Sequence, residues 1–153
     1  EEIRKVSESL IGRVHDLTAD DTEAYLKVET AMKMPRLTDE EKAARNEAMQ
    51  EAFKAASVTP IKTAEAAVEA LSLLPDLGRY GNPNALTDMA VGALLLDSAR
   101  RGASMNVQIN LGVISDEAFV AHAKTTITAL KVKASSYMTG VQSAVGKAEM
   151  DFE

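Results

Sequence analysis

The sequence has 153 residues, of which 46% are apolar, with no cysteine and a formal net charge of -6. A chain of this length forms one domain with a sizeable core, and the absence of cysteine excludes disulfides, thiolate metal sites and cysteine nucleophiles. The negative charge argues against a general affinity for nucleic acid, whose phosphates favour clustered Lys and Arg. No apolar run reaches the roughly 18 residues that a membrane span requires, so we expect a cytoplasmic protein with no membrane partner.

The first predicted helix covers about residues 1 to 34 and ends before Pro35, which cannot continue the hydrogen-bond ladder. Apolar residues recur in it at steps of three and four, as along the buried face of an α-helix. The stripe consists of Ile3, Val6, Leu10, Val14, Leu17, Ala24, Val28 and Met32. Between Leu17 and Ala24 the stripe lacks an apolar member, and Asp20 and Asp21 occupy the positions that would complete it. The sequence therefore predicts a carboxylate on the core-facing side of this helix.

A carboxylate in that position needs a physical explanation, because burial of an unpaired charge is strongly unfavourable. One explanation is structural: a nearby Arg, Lys or helix terminus neutralises the aspartate. The other is functional: a partly buried carboxylate with a raised pKa serves as a proton-transfer group. The stripe by itself leaves both explanations open.

Two further helices are predicted before the middle of the chain. Thr38 and Glu41 have the spacing of a capping box, which starts a second helix that runs to about residue 57. Thr59 followed by Pro60 has the pattern of an N-cap with proline at the first helical position, which predicts a third helix.

The second half of the chain contains the last two predicted helices. The fourth, about 85 to 103, is apolar on all sides, which predicts that it is the central and most enclosed helix. Residues 106–111 alternate apolar and polar side chains, and we interpret them as a continuation of that helix or a tight connector. Asp116 and its neighbours cap the last helix. The predicted fold is an all-α, up-and-down bundle of about five to six helices in a single domain, 1–153.

The loop 81–88, before the fourth helix, is rich in polar turn formers. Free backbone N–H groups at a helix N-terminus attract anions, so Asn82, Asn84 and Asp88 are candidates for binding a carboxylate or carbonyl oxygen of a ligand. Ordinary capping by Asn84 or Thr87, with Asp88 complementing the helix dipole, explains the same pattern.

Six segments of the chain, taken together in their order and spacing, resemble the cyclodeaminase/cyclohydrolase family of one-carbon folate enzymes. This family includes the cyclodeaminase half of formiminotransferase-cyclodeaminase and stand-alone bacterial methenyltetrahydrofolate cyclohydrolases. The resemblance extends over about residues 10 to 130. The segments are 19–25, 34–42, 58–60, 81–88, 106–111 and 115–119.

The resemblance implies an all-helical homodimer that binds a tetrahydrofolate derivative as substrate near the subunit interface, with no tightly bound cofactor. The family's Asp-x-Glu-Ala-aromatic segment corresponds to 21–25 here, which implies that Asp21 is the catalytic residue. Asp20, Asn82, Asn84 and Asp88 are predicted to contact the substrate. Family members also carry a proline- and glycine-rich segment and an alanine-rich helix upstream of the first residue of this sequence.

Cations near these segments are candidates for holding the glutamate tail of a folate, although a solvated face is the simpler explanation for each of them. They are Lys33, Arg36, Arg100 and Arg101, of which Arg36 is predicted to bind substrate. The two histidines, His15 and His122, lie at no metal-ligand spacing, so we predict no metal site.

The resemblance implies closure of 5-formiminotetrahydrofolate to 5,10-methenyltetrahydrofolate with release of ammonia. The alternative on the same scaffold is hydrolysis of the methenyl group by a cyclohydrolase. A second alternative is a helical interaction or dimerisation module without catalytic activity, in which Asp21 belongs to a structural ion pair.

Overall fold

The computed structural model describes residues 2–146, which form four α-helices and a 3₁₀ turn at Pro83–Ala85. The prediction of an all-α fold is confirmed, whereas the prediction of about five to six helices is wrong. None of the helices combines the length and apolar character that a bilayer span requires. The helices are α1 Glu2–Lys33, α2 Asp39–Tyr80, α3 Leu86–Leu111 and α4 Glu117–Gly146.

The number of helices differs because α2 continues through Pro60, where one helix was predicted to end and another to begin. Proline has no N–H, so the carbonyl of Ala56, four residues earlier, loses its partner within the helix. The Asn110 side chain supplies the missing donor: its Nδ2 donates to the Ala56 carbonyl oxygen at 2.9 Å. The second and third predicted helices are therefore one helix, completed by a hydrogen bond from α3.

This replacement bond predicts a specific pattern of stability. Asn110→Ala should lower the free energy of unfolding by about 1–2 kcal/mol, because it leaves the Ala56 carbonyl without a donor. In a Pro60→Ala background the same substitution should have a much smaller effect, because the new N–H at position 60 donates to that carbonyl. Urea unfolding of the four proteins in this double-mutant cycle measures the difference. Equal losses in both backgrounds would show that Asn110 stabilises the protein in some other way.

Two predicted helix starts are confirmed by their capping hydrogen bonds. At α2, the Glu41 N–H donates to Thr38 Oγ1 and the Thr38 N–H donates to Glu41 Oε2, both at 3.2 Å. At α4, the Phe119 N–H donates to Asp116 Oδ1 at 3.0 Å. That hydrogen bond, followed by the Lys54 ammonium at 3.1 Å, holds the pKa of the Asp116 carboxyl below its ordinary value. The short connector between α3 and α4 is thus fixed at the point where α4 begins.

The central helix is α2, which packs against each of the other three helices. The prediction that 85–103 forms the most enclosed helix is wrong, because the outer face of α3 is open to solvent. Val91, Leu95 and Ile109 on that face are 51%, 66% and 72% exposed. The segment 106–111 is the end of α3, in agreement with its interpretation as a helix continuation. Because α1 packs almost entirely against α2, a groove remains between α1 and α3, with α2 as its floor.

Candidate functional site

The groove between α1 and α3 contains two adjoining cavities of different character. An apolar cavity of about 430 Å³ is lined by side chains such as Ile11, Leu74 and Leu96. A cavity of about 410 Å³ next to it carries the polar groups. Both are lined by Val14 and Ala99, so they form neighbouring parts of one groove. An apolar cleft with a few polar groups at one end is the usual form of a site for a small organic molecule.

Asp21 lies in the polar part of this groove. Its neighbours on the α1 stripe, Leu17 and Ala24, are buried against the rest of the protein, while Asp21 itself is exposed. Asp21 therefore lies beside the buried members of the stripe, but the prediction of a core-facing carboxylate is wrong for it, because this part of α1 borders the open groove and not the closed core. No hydrogen bond or salt bridge within residues 2–146 involves the Asp21 side chain. Its carboxylate is thus accessible to a ligand in the groove.

The other polar groups of this cavity come from three helices. Thr18 and Thr22 flank Asp21 on α1, Thr63 lies on α2, and Asn106 lies on α3. The Thr22 hydroxyl donates to the Thr18 carbonyl at 3.1 Å, which leaves its oxygen as an acceptor. An amide, hydroxyls and one carboxylate can together bind a group that carries N–H donors or positive charge.

Asn106 was not among the predicted site residues, although it begins the segment 106–111. Asn110, one turn later on the same helix, donates to the Ala56 carbonyl and has a structural role. Asn106 in contrast is exposed and lines the cavity of Asp21. The sequence gives no signal that separates these two asparagines, because the distinction depends on how α3 is rotated against α2.

Asp20 faces a different cavity, since consecutive helical residues point about 100° apart. That cavity, of about 490 Å³, contains two cations and four carboxylates, so it does not favour an anionic ligand. Its charged groups are Arg13, Lys62, Asp16, Asp20, Glu65 and Glu69. Asp20 and Asp21 therefore do not act on one ligand within this groove, and a substrate-binding role for Asp20 stays a prediction.

The loop before α3 lies far from Asp21 in the same chain. Asn82 Oδ1 accepts the Asn84 N–H at 3.0 Å and caps the 3₁₀ turn, and Asp88 lies exposed in the first turn of α3. Ala103, which lines the cavity of Asp21, is fifteen residues further along α3, or about 22 Å at 1.5 Å per residue. The structure does not bring this loop and Asp21 together within one protomer, and the binding roles of these three residues stay predictions.

Two of the four candidate cations for a glutamate tail, Lys33 and Arg36, are also remote from Asp21. Arg36 is exposed in the connector after α1, and Lys33 forms a salt bridge with Glu29 at 2.6 Å. Both lie near the end of α1, about 18 Å or more from Asp21 along the helix. Neither of them lines the groove of Asp21, so the role of Arg36 in substrate binding stays a prediction.

Arg100 and Arg101 form a charge cluster with Asp97, a residue that was not among the predicted site residues. Asp97 Oδ1 accepts a hydrogen bond from Arg100 Nε at 2.9 Å and forms a salt bridge with Arg100 Nη2 at 2.7 Å, and Asp97 Oδ2 accepts from Arg101 Nε at 2.6 Å. Asp97 and Arg100 are buried. Burial by itself raises the pKa of the Asp97 carboxyl, but the hydrogen bonds and charges of the two arginines outweigh it and hold this pKa below its ordinary value.

The sequence of this all-helical chain was compared with those of known protein families. A family model described as formiminotransferase-cyclodeaminase matches residues 1–129. This chain belongs to the formiminotransferase-cyclodeaminase family. The resemblance inferred from the six sequence segments is therefore confirmed.

Two curated relatives show the range of activities within this family. Methenyltetrahydrofolate cyclohydrolase of Methylorubrum extorquens is 35% identical over 118 residues, which are 77% of this chain and 57% of the relative. Formimidoyltransferase-cyclodeaminase of Sus scrofa is 36% identical over 121 residues, which are 79% of this chain and 22% of the relative. The chain thus spans about half of the first relative and about a fifth of the second.

A solved structure supports the fold. The crystal structure of formiminotetrahydrofolate cyclodeaminase from Thermotoga maritima superposes with a TM-score of 0.80 and covers 94% of this chain. The match extends over 67% of that chain at 24% sequence identity. The two proteins therefore share the helical architecture.

Proposed function

We propose that this protein acts on a tetrahydrofolate derivative as a formiminotetrahydrofolate cyclodeaminase, with Asp21 as the catalytic residue. The observation that carries the proposal is the exposed Asp21 carboxylate in the groove between α1 and α3, in a chain of this family. The groove joins this carboxylate to an apolar cavity of about 430 Å³ that suits a flat organic ring system.

The chemistry needs one group that moves a proton between two nitrogens. N10 of 5-formiminotetrahydrofolate attacks the cationic formimino carbon on N5, and the new N10–C bond gives a tetrahedral centre. Asp21 accepts the proton from N10 and passes it to the departing nitrogen. The C–N bond to that nitrogen then breaks, ammonia leaves, and the positive charge stays on the 5,10-methenyl bridge. Before N10 attacks and after ammonia leaves, the negative charge of the carboxylate also stabilises the cationic one-carbon centre.

The alternative reaction on the same site is hydrolysis of 5,10-methenyltetrahydrofolate. This chain spans a larger share of the cyclohydrolase of Methylorubrum extorquens than of the formimidoyltransferase-cyclodeaminase of Sus scrofa. This difference in coverage supports the alternative reaction. Water attacks the methenyl carbon and Asp21 accepts one of its two protons, which gives a carbinolamine. Asp21 then passes this proton to the departing nitrogen, the C–N bond to that nitrogen breaks, and the hydroxyl releases its remaining proton to solvent to leave a formyl group. Both reactions have a cationic one-carbon centre beside the carboxylate, so the geometry of Asp21 suits either of them.

We further propose that the protein acts as a homodimer. A folate site that uses both Asp21 and the loop 81–88 requires two copies of the chain, because within one copy the cavity of Asp21 is lined by no residue of that loop. The outer face of α3 provides apolar surface for such an assembly. Its exposed residues recur at helical steps and include Val91, Leu95, Met105 and Ile109. Sedimentation equilibrium should give twice the mass of the chain, and a monomer would contradict the proposal.

Two assays on the purified protein test the function and distinguish the reactions. Formation of 5,10-methenyltetrahydrofolate from 5-formiminotetrahydrofolate, followed by its near-ultraviolet absorbance, should be faster than in buffer. Loss of that absorbance when 5,10-methenyltetrahydrofolate is the substrate would instead assign cyclohydrolase activity. If neither rate exceeds the rate in buffer for a folded dimer, the enzymatic proposal fails and the protein is a non-catalytic interaction module.

A further inference from the structure

A second large cavity lies between α3 and α4, on the side of α3 away from Asp21. Its volume is about 880 Å³, larger than either part of the groove. Arg100, Arg101 and Ser104 line it from α3, and Thr128 and Lys131 line it from α4. The groove of Asp21 instead contacts Ala99 and Ala103 on the opposite side of α3. Since an α-helix with its side chains is about 10 Å thick, the two cavities are separate sites.

The lining of this cavity is cationic although the protein is acidic. Arg100, Arg101 and Lys131 carry three positive charges, and Asp97 carries the single negative charge among the lining residues. Two positive charges are therefore left over. Lys131 forms no salt bridge with another residue in the range 2–146. A local positive region on a protein of net charge -6 attracts anions despite the negative total.

Asp97 orients the two guanidinium groups. It accepts a hydrogen bond from Arg100 Nε and one from Arg101 Nε, and it forms a salt bridge with Arg100 Nη2, which fixes the side of Arg101 nearest the helix. The Arg101 side chain is otherwise 71% exposed, so its terminal N–H groups are available to a ligand. An oriented guanidinium matches the two oxygens of a carboxylate, and the lysine on the facing helix provides a second point charge.

The rest of the lining favours an organic anion over an inorganic one. Ile127 and Met138 add apolar surface to the lining of the cavity, which suits a chain of methylene groups. We infer that the cavity between α3 and α4 binds an organic dicarboxylate, with one carboxylate on Arg101 and the other on Lys131. The dicarboxylate is either a free metabolite or the glutamyl end of a larger molecule. This inference does not depend on the proposed catalytic function.

Calorimetric titration of the purified protein with glutarate tests the inference directly. We expect saturable binding that weakens with added salt. Arg101→Gln and Lys131→Gln should each weaken it by about tenfold, the effect of losing one charged hydrogen-bond partner. Lys133→Gln is the matched control, because Lys133 is an exposed residue of α4 outside the cavity lining and its replacement should change affinity less than twofold. No saturable binding, or equal weakening by all three substitutions, would overturn the inference.

Competition experiments identify the source of the dicarboxylate. Displacement of glutarate by pteroylglutamate but not by pteroate, which lacks the glutamate, would assign the cavity to a glutamyl end. Failure of both to displace glutarate would assign it to a free dicarboxylate. Displacement by pteroate as well would contradict the requirement for two carboxylates. Because the readout is binding, none of these results depends on whether the protein is catalytically active.

Discussion

Asp21→Asn is expected to lower turnover by about 10²–10⁴-fold in whichever of the two folate assays is positive. Asparagine has nearly the same shape as aspartate, but it cannot accept the proton from N10 or from water, and a positioned general acid–base group typically contributes a factor of this size. The substitution also removes the negative charge beside the cationic one-carbon centre. Initial rates at saturating substrate, compared with the unsubstituted protein, measure the loss.

If Asp21 had a structural role, its replacement would lower the stability of the protein. The catalytic role predicts almost no change in stability. Asp21 is exposed and forms no salt bridge within the described residues 2–146, so its replacement should move the melting temperature by less than about 2 °C. Asp16→Asn is the matched control, because Asp16 is also exposed on α1 but lies outside the groove of Asp21. Full activity of Asp21→Asn, or a large fall in melting temperature alongside the loss of activity, would contradict the catalytic role.

The helical content was predictable because it depends on local sequence. The three- and four-residue steps of the α1 stripe and the capping residues Thr38 and Asp116 are short-range signals. The structure agrees with them, except that the stripe members Val14 and Met32 are exposed. The continuity of α2 through Pro60 was not predictable in this way. There the carbonyl of Ala56 accepts a hydrogen bond from Asn110, which is 54 residues away in the sequence and approaches only when α3 packs on α2.

At the candidate site too, the features that depend on local sequence were predictable and those that depend on helix packing were not. The place of Asp21 on the face of the α1 stripe follows from helical periodicity alone. Its exposure does not, because it results from the separation of α1 and α3 on the two sides of α2. The cluster around Asp97 was not predicted, because its helix was interpreted as apolar on all sides. The sequence does contain a signal for it: Asp97 precedes Arg100 by three residues and Arg101 by four, which is the spacing of side-chain pairs on a helix.

Asp97→Asn is expected to lower the free energy of unfolding by about 3 kcal/mol, which corresponds to a fall in melting temperature of roughly 10 °C. The reason is that Arg100 is buried with only 7% of its side chain exposed, and without the Asp97 carboxylate its charge has no neutralising partner in the cluster. Thermal unfolding followed by circular dichroism measures the change. Arg101→Gln removes the exposed arm of the same cluster and should lower the melting temperature by less than about 3 °C.

The pH dependence of this effect identifies the carboxylate as its origin. The arginines hold the pKa of the folded-state Asp97 below its ordinary value, so the folded protein binds this proton less readily than the unfolded chain does. The stabilising contribution of Asp97 is therefore fully present above the unfolded pKa of about 3.9 and is lost as the pH falls through the lower folded pKa. The difference in melting temperature between the unsubstituted protein and Asp97→Asn should be constant from pH 5 to 7 and shrink below about pH 4. A difference that is as large at pH 3 as at pH 7 would show that Asp97 stabilises the fold through its shape and hydrogen bonds and not through its charge.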